Sequence, residues 1–503
     1  MVGSAIDENA RYDLVVRGAT VFDGSGAAPT RSDVALRGDR IAAVGDVPDD
    51  SGPSLAADGL ALAPGFIDVH THDDFAVIVH PEMDFKVMQG VTTDVVGNCG
   101  MGAAPFPQAS LFAHALHPGQ KLPGWEGYGG YLNALDADPP SLNVAVLVGH
   151  GTLRAAAMGG DRRLPDAAEL AQMQRGLAEG LEAGAVGFST GLIYEPGRNA
   201  DTDEIVALAR VMSETGGLYA THMRDEAAGL LDSIRETLRI GESAGVPVQV
   251  SHHKVTGHDN WGLVRASLAL LDEARAAGLD VTADQYPYTA GSTVLAAVVQ
   301  NGGLRRGARG GLGPMAGSDV VIASAAACPE YEGCNLAELA ERWGVDAQAA
   351  AERVLRDEPS TWVVMHSMSE DDVREVLCHP TTMIGSDGVP TDGGKPHPRL
   401  YGTFPRVLGH YARDEGLMAM EEAVYRMTGF SAAKFGLADR GLVREGAYAD
   451  LVVFDPDAID DVASYEDPRR HPAGIHHVFV NGRAVVRDGV HTGDRSGRAL
   501  RRA

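Results

Sequence analysis

Cysteine is scarce: the 503 residues hold four, Cys99, Cys328, Cys334 and Cys378. That is too few for a disulfide scaffold and fits a chain kept reduced, so the expected compartment is the cytoplasm. Cys328 and Cys334 bound a CPEYEGC segment that lacks histidine, so no metal or disulfide role is assigned to them, and Cys378 is expected to be buried. Long apolar runs are missing too. No stretch of about 18 apolar residues occurs, which argues against a spanning helix. The opening MVGSAIDENARYDLVV carries Asp7, Glu8 and Arg11 early and does not read as a signal peptide. Positive charge is also short: 42 Lys and Arg against 69 Asp and Glu leave a net −27. This balance argues against nucleic acid or an anionic membrane as a partner. It still admits a small anionic substrate met by a few local cations. Tandem repeats and low-complexity tracts are absent.

What is present falls into two patterns. The ends read as β: YDLVVRGATVFDGSG, SDVALRGD and RIAAVG near the start, ADLVVFDP, HHVFVNG and RAVVRDG near the end, with Asn481-Gly482 as a hairpin signal. Neither end makes a core alone, so residues 1–62 and 431–503 are expected to join in one small β-sandwich. Between them, over 63–430, short apolar strands end in polar residues and alternate with helices. The strands end near His70, Cys99, His150, Thr190, His222, His252, Tyr288 and Asp387. Eight such units predict an α/β fold, a (β/α)8 TIM-type barrel. Residues 302–360, Gly-rich and then helical, read as an insertion between the seventh and eighth strands, long enough for a lid, with GGLRRGARGGLG as its loop and TWVVMHS as an extra strand.

The first barrel strand ends APGFIDVHTHDD. In a strand, residues two apart share a face, so His70 and His72 aim together from its end. A His-x-His pair taken alone has a bland explanation as a polar rim. Beside Cys99, His222, His252 and Asp387 at other strand ends, that explanation weakens, because all converge on the mouth where such barrels carry their chemistry. Imidazole and thiolate are favoured zinc ligands. His253 must point away from His252 and is expected in the core or behind the ligands. His114 and His117 are expected at the surface, and His366 in a structural role. Glu195 and Arg198 could shape the pocket rim, and Arg305, Arg306 and Arg309 could favour an acidic side chain.

PGFIDVHTH, GVTTDVVGNCG, STGLIYEPG, YATHMRDE, VQVSHHKVTG, YPYTAGST, HPRLYGTFPR and the terminal GLVREGAYADLVVFDP resemble the amidohydrolase superfamily, and within it the D-aminoacylases, or N-acyl-D-amino-acid deacylases. The resemblance runs from the first barrel strand to the end. It implies hydrolysis of an N-acyl-D-amino acid, with a cysteine where relatives often use a carboxylated lysine. Cys99, His222 and His252 would hold a tight zinc ion. His70 and His72 could hold a second, weaker one with Cys99 bridging. Asp387 matches the catalytic carboxylate, and Lys254, Tyr286, Ser292 and Arg399 the clamp on the substrate's α-carboxylate. A cyclic amidase of the hydantoinase or dihydroorotase kind is the rival, but its lysine is missing from the fourth strand, GAVGFSTG. A metal-free scaffold ranks lower, since every ligand is kept.

Overall fold

The computed structural model describes residues 11–304 and 311–502. Arg305, Arg306 and Arg309 lie outside the described residues. Eight strands form one parallel sheet in sequence order: β1 (Phe66–Asp68), β2 (Val91–Val96), β3 (Asn143–Gly149), β4 (Gly187–Gly191), β5 (Leu218–His222), β6 (Val248–Val250), β7 (Val281–Gln285) and β8 (Thr382–Ile384). Every residue in them is buried, as in parallel sheets covered on both faces. The sheet meets itself beyond β1 and β8. The Asp387 N–H donates to the His70 carbonyl at 2.7 Å, the His72 N–H donates to Gly388 at 3.0 Å, and Thr71 bridges Gly388 in parallel. The chain therefore closes into a barrel at its C-terminal mouth.

Helices cover the outside. Helix Ala167–Glu182 starts at a capping box between Asp166 and Glu169. Helix Leu230–Ala244 stops at Gly245, whose left-handed backbone ends the turn. Inside, Ile67, Val95, Leu147, Ala220 and Met383 share a core with Ala432 and Phe435, so helix Gly429–Phe435 plugs the far end and packs with the barrel.

The two chain ends build one nine-stranded sheet, joined where Ala61–Pro64 pairs antiparallel with Leu451–Phe454. Leu36 and Ile41, from one side of that junction, share a core with Leu451 and Phe479 from the other. The sheet thus curls over its own core, and its layers are hydrogen-bonded into one path. A bulge between Val16 and Ala19 lets strand Leu14–Val21 pair first with Ser54–Ala56 and then with Ala61–Pro64.

The insertion is wider than 302–360. It begins with strand Ala290–Val294, which pairs antiparallel with Trp362–His366, itself paired with Val320–Ser324. Together with helices Leu336–Trp343 and Ala347–Asp357 it encloses a separate core around Val320, Leu339, Val354 and Val363. AGSTV carries little apolar signal, and its strand exists through its partner. Two thiol and imidazole expectations also change. Cys378 ends a helix and is exposed, while His117 is buried to 2% exposure because the turn after helix Phe106–Leu116 folds inward. Among the described residues, no helix is long and apolar enough to cross a membrane.

Candidate metal centre

Six strand-end residues meet at the mouth. The Cys99 Sγ lies 3.4 Å from His70 Nε2, 3.7 Å from His222 Nδ1 and 3.6 Å from His252 Nε2. His222 Nδ1 and His252 Nε2 are 2.8 Å apart. On the other side of His70, Asp387 Oδ1 stands 3.5 Å from His70 Nε2 and 3.2 Å from His72 Nε2. Three overlapping donor groups result: His70 with Cys99 and His252, His70 with His72 and Asp387, and His222 with Glu226 and His252.

Their backbone is unusual. Cys99, His252 and Asp387 all have positive φ, at 53°, 34° and 49°. Such conformations cost roughly 1–3 kcal/mol each and persist only where surroundings enforce them. Here each sits two or three residues past a strand, where the chain must turn its side chain inward over the barrel. Close packing backs the turn: a Cβ at Gly191, the last residue of β4, would collide with the Cys99 carbonyl oxygen. The fourth strand therefore ends in glycine, and no long side chain reaches the centre from that position.

The field at the centre favours a cation. Burial opposes charge on His70 and His72, yet Asp284 and Cys99 push His70 well above its usual value. Hydrogen bonds to Asp387 and Cys99 bring His72 to about 9. Burial also opposes a thiolate at Cys99, but His70, His222 and His252 together hold it well below the ordinary thiol range. Burial would raise Asp387, and Arg399, His252 and His72 outweigh it and hold it low. A tetrahedral zinc ion with bonds of about 2.3 Å to sulfur and 2.0–2.1 Å to nitrogen separates its ligand atoms by roughly 3.5 Å. The Cys99–His222 and Cys99–His252 edges match that, the His222–His252 edge at 2.8 Å needs the two rings to part by a few tenths of an ångström, and the donors are a soft sulfur and imidazoles, so the residues fit zinc. His72 Nδ1 and His222 Nε2 are buried with no hydrogen-bond partner.

Four residues surround the Asp387 side. Arg399, fully buried, reaches Asp387 Oδ2 at 2.9 Å through Nη2 and lies 4.4 Å over the Tyr286 ring. The same Nη2 touches the Ser292 carbonyl at 3.4 Å, so Ser292 comes to the group through its backbone. The Arg399 Nε and Nη1 are buried without partners. Lys254 is also buried, 5.9 Å from the Tyr286 ring. Its Nζ is engaged, at 2.6 Å from Glu226 Oε1 and 2.8 Å from His252 Nδ1.

Glu226 and Asp284 were not singled out in the sequence. Glu226, wholly buried, accepts from Lys254 and stands 3.1 Å from His252 Nδ1. Burial would raise its carboxyl, and Lys254, His222 and His252 reverse that and hold it well below the usual range. Asp284 stands 3.1 Å from His70 Nδ1 and accepts the His252 N–H at 2.8 Å. Each carboxylate orients imidazoles from behind, as partners of metal-binding histidines commonly do. The available signals were Glu226 four residues after His222 and a carboxylate inside the buried strand β7. His253 turns outward to Ser267 at 2.8 Å, and burial drops it to about 3. His366 is exposed at its strand end and packs on Tyr465.

A cavity of about 380 Å³ opens beside Cys99. Tyr194, Val294, Ala297, Leu111 and Phe112 line it, with Glu195 on its wall. The insertion supplies Val294 and Ala297, so it walls the mouth over the metal ligands.

The amidohydrolase family profile matches residues 55–302 and 268–486. A D-aminoacylase of Alcaligenes xylosoxydans xylosoxydans is 44% identical over 98% of each chain. A solved N-acyl-D-glutamate deacylase from Bordetella bronchiseptica, complexed with zinc and a phosphonate mimic of the tetrahedral intermediate, is 41% identical and superposes with a TM-score of 0.88 over 98% of this chain and all of that one. A solved D-aminoacylase, described with a binuclear metal centre showing one-metal activation and second-metal attenuation, is 43% identical with the same TM-score and coverage.

Proposed function

Because the chain belongs to the amidohydrolase family, on the branch that holds the D-aminoacylases, we propose that it hydrolyses N-acyl-D-amino acids to a carboxylate and the free D-amino acid. The observation that carries this reading is the buried Arg399, with two unpartnered nitrogens, set beside Asp387 and the Cys99 donor group. A buried guanidinium with free N–H groups calls for an anion, and its fork suits a carboxylate.

Cys99, His222 and His252 would hold a tight zinc ion, and His70 and His72 would hold a weaker second one with Cys99. Zinc bound there supplies Lewis acidity toward the amide carbonyl and the attacking water. The rest falls to the protein. The free nitrogens of Arg399 bind the α-carboxylate, with Tyr286 packed against the guanidinium, the Ser292 carbonyl accepting from it and the Lys254 charge behind His252, and this points the scissile amide at Asp387. Asp387 takes a proton from the attacking water and gives it to the leaving amine. Glu226 and Asp284 fix the His252 and His70 rings. The acyl group lies on the far side of the amide from the carboxylate clamp, and so in the cavity beside Cys99. The glycine end of β4 also favours a cysteine-centred site over the lysine-bridged one of a cyclic amidase. Free thiols at all four cysteines suit the reducing cytoplasm.

The test is release of amino acid from a panel of N-acetyl-D- and N-acetyl-L-amino acids by zinc-loaded protein. Release from D-forms alone is expected, and release from none of them sinks the reading. A further variant checks the supporting carboxylate. Glu226→Gln is expected to weaken zinc retention by about 10–100-fold, the usual cost of losing a partner behind a ligand. Chelator competition measures it, and unchanged retention would confine Glu226 to pairing with Lys254.

A further inference from the structure

A second group of metal-binding side chains lies outside the centre just described. His80 Nε2 and His117 Nδ1 both stand 2.7 Å from Asp392 Oδ1, and Gln120 Nε2 reaches Asp392 Oδ2 at 3.3 Å. The three ligand atoms of His80, His117 and Asp392 lie within 4.8 Å of one another. We propose that His80, His117 and Asp392 form a further site for a zinc-like divalent cation, which ties together the loops that carry the catalytic residues.

The argument starts from chain position. His80 ends the short helix Ala76–Val79 that follows His70 and His72. His117 ends helix Phe106–Leu116, which follows Cys99. Asp392 lies five residues after Asp387. Each ligand thus comes from a different loop of the barrel mouth, and those three loops bring His70, His72, Cys99 and Asp387 to one place. A cation held by all three crosslinks them.

The chemistry fits one class of ion. Two imidazoles and a carboxylate suit zinc and its neighbours, whereas magnesium and calcium take oxygen ligands. Zinc bonds of about 2.0–2.1 Å place ligand atoms roughly 3.3 Å apart. The two imidazoles therefore spread by a few tenths of an ångström from Asp392 to admit the ion. His80 is half-exposed, and it opens onto a groove of about 510 Å³ with Glu82 and Asp84 on its walls. That groove gives the ion an entry path and water for its remaining positions.

The experiment uses the full chain, stripped with a chelator and titrated with zinc, with metal counted per chain after desalting. Wild type is expected to bind one zinc more than His80→Ala or Asp392→Asn, and Cys99→Ala is expected to keep that extra ion. His80 is half-exposed, so its replacement tolerates folding, and circular dichroism checks both variants. Cobalt(II) separates the two sites, because a thiolate–cobalt band reports the Cys99 centre alone. His80→Ala is expected to keep that band. Equal zinc counts in wild type and both variants overturn the proposal, as does loss of the cobalt band in His80→Ala. Absence of the band from wild type would instead overturn the Cys99 centre while leaving the His80 count to stand on its own.

Discussion

Asp387→Asn is expected to keep the fold and the tight zinc ion and to lose turnover by roughly 10⁴-fold, the upper end for a group that serves as both base and acid. Asparagine is the right probe because it tolerates the positive φ of 49° that Asp387 adopts, where bulkier side chains would add strain. The substitution keeps an oxygen toward His72 but has no charge to take the water's proton. It also removes the ion pair with the buried Arg399, which is then uncompensated except by substrate. Some stability is lost by that route, since breaking a buried pair costs about 3–5 kcal/mol. A melting curve and a zinc count must therefore accompany the rate measurement. A folded, zinc-loaded variant with more than a tenth of wild-type turnover would mean that another group moves the proton.

Much of this arrangement was legible because buried parallel strands announce themselves. NVAVLVG is a continuous apolar run, and a polar residue after such a run must sit at the mouth. The same logic placed His70, Cys99, His222, His252 and Asp387 without any pairing information. It failed where burial comes from packing between distant segments. Glu226 reads as one charge among Arg224 and Asp225 in a polar loop, and only the fold-back of Lys254 and two histidines makes it a buried carboxylate. His117 looks like a surface residue until Asp392, far along the chain, closes over it. The strand Ala290–Val294 is polar enough to pass for a loop, since its stability lies in the ladder with Trp362–His366. Local pattern carries periodicity, and these three features depend on contacts across 28, 275 and tens of residues of chain.

Cys99→Ala is expected to release the tight zinc ion, with affinity falling by far more than the 10–100-fold typical of a lost partner behind a ligand. The sulfur lies near His70, His222 and His252 together, so its removal takes a donor from both halves of the centre. It also removes the negative charge that draws a cation among the imidazoles. Two histidines 2.8 Å apart would remain on the tight side, half of a tetrahedral set. The fold should survive, because alanine pays the same penalty as cysteine for the positive φ of 53° and leaves only a small void. Zinc per chain after dialysis against a weak chelator, counted alongside His80→Ala, decides the matter. Loss of the tight ion together with activity assigns Cys99 as its ligand. Full retention would put the metal on imidazoles and carboxylates alone, and the thiolate would then be a neighbour of the centre without holding it.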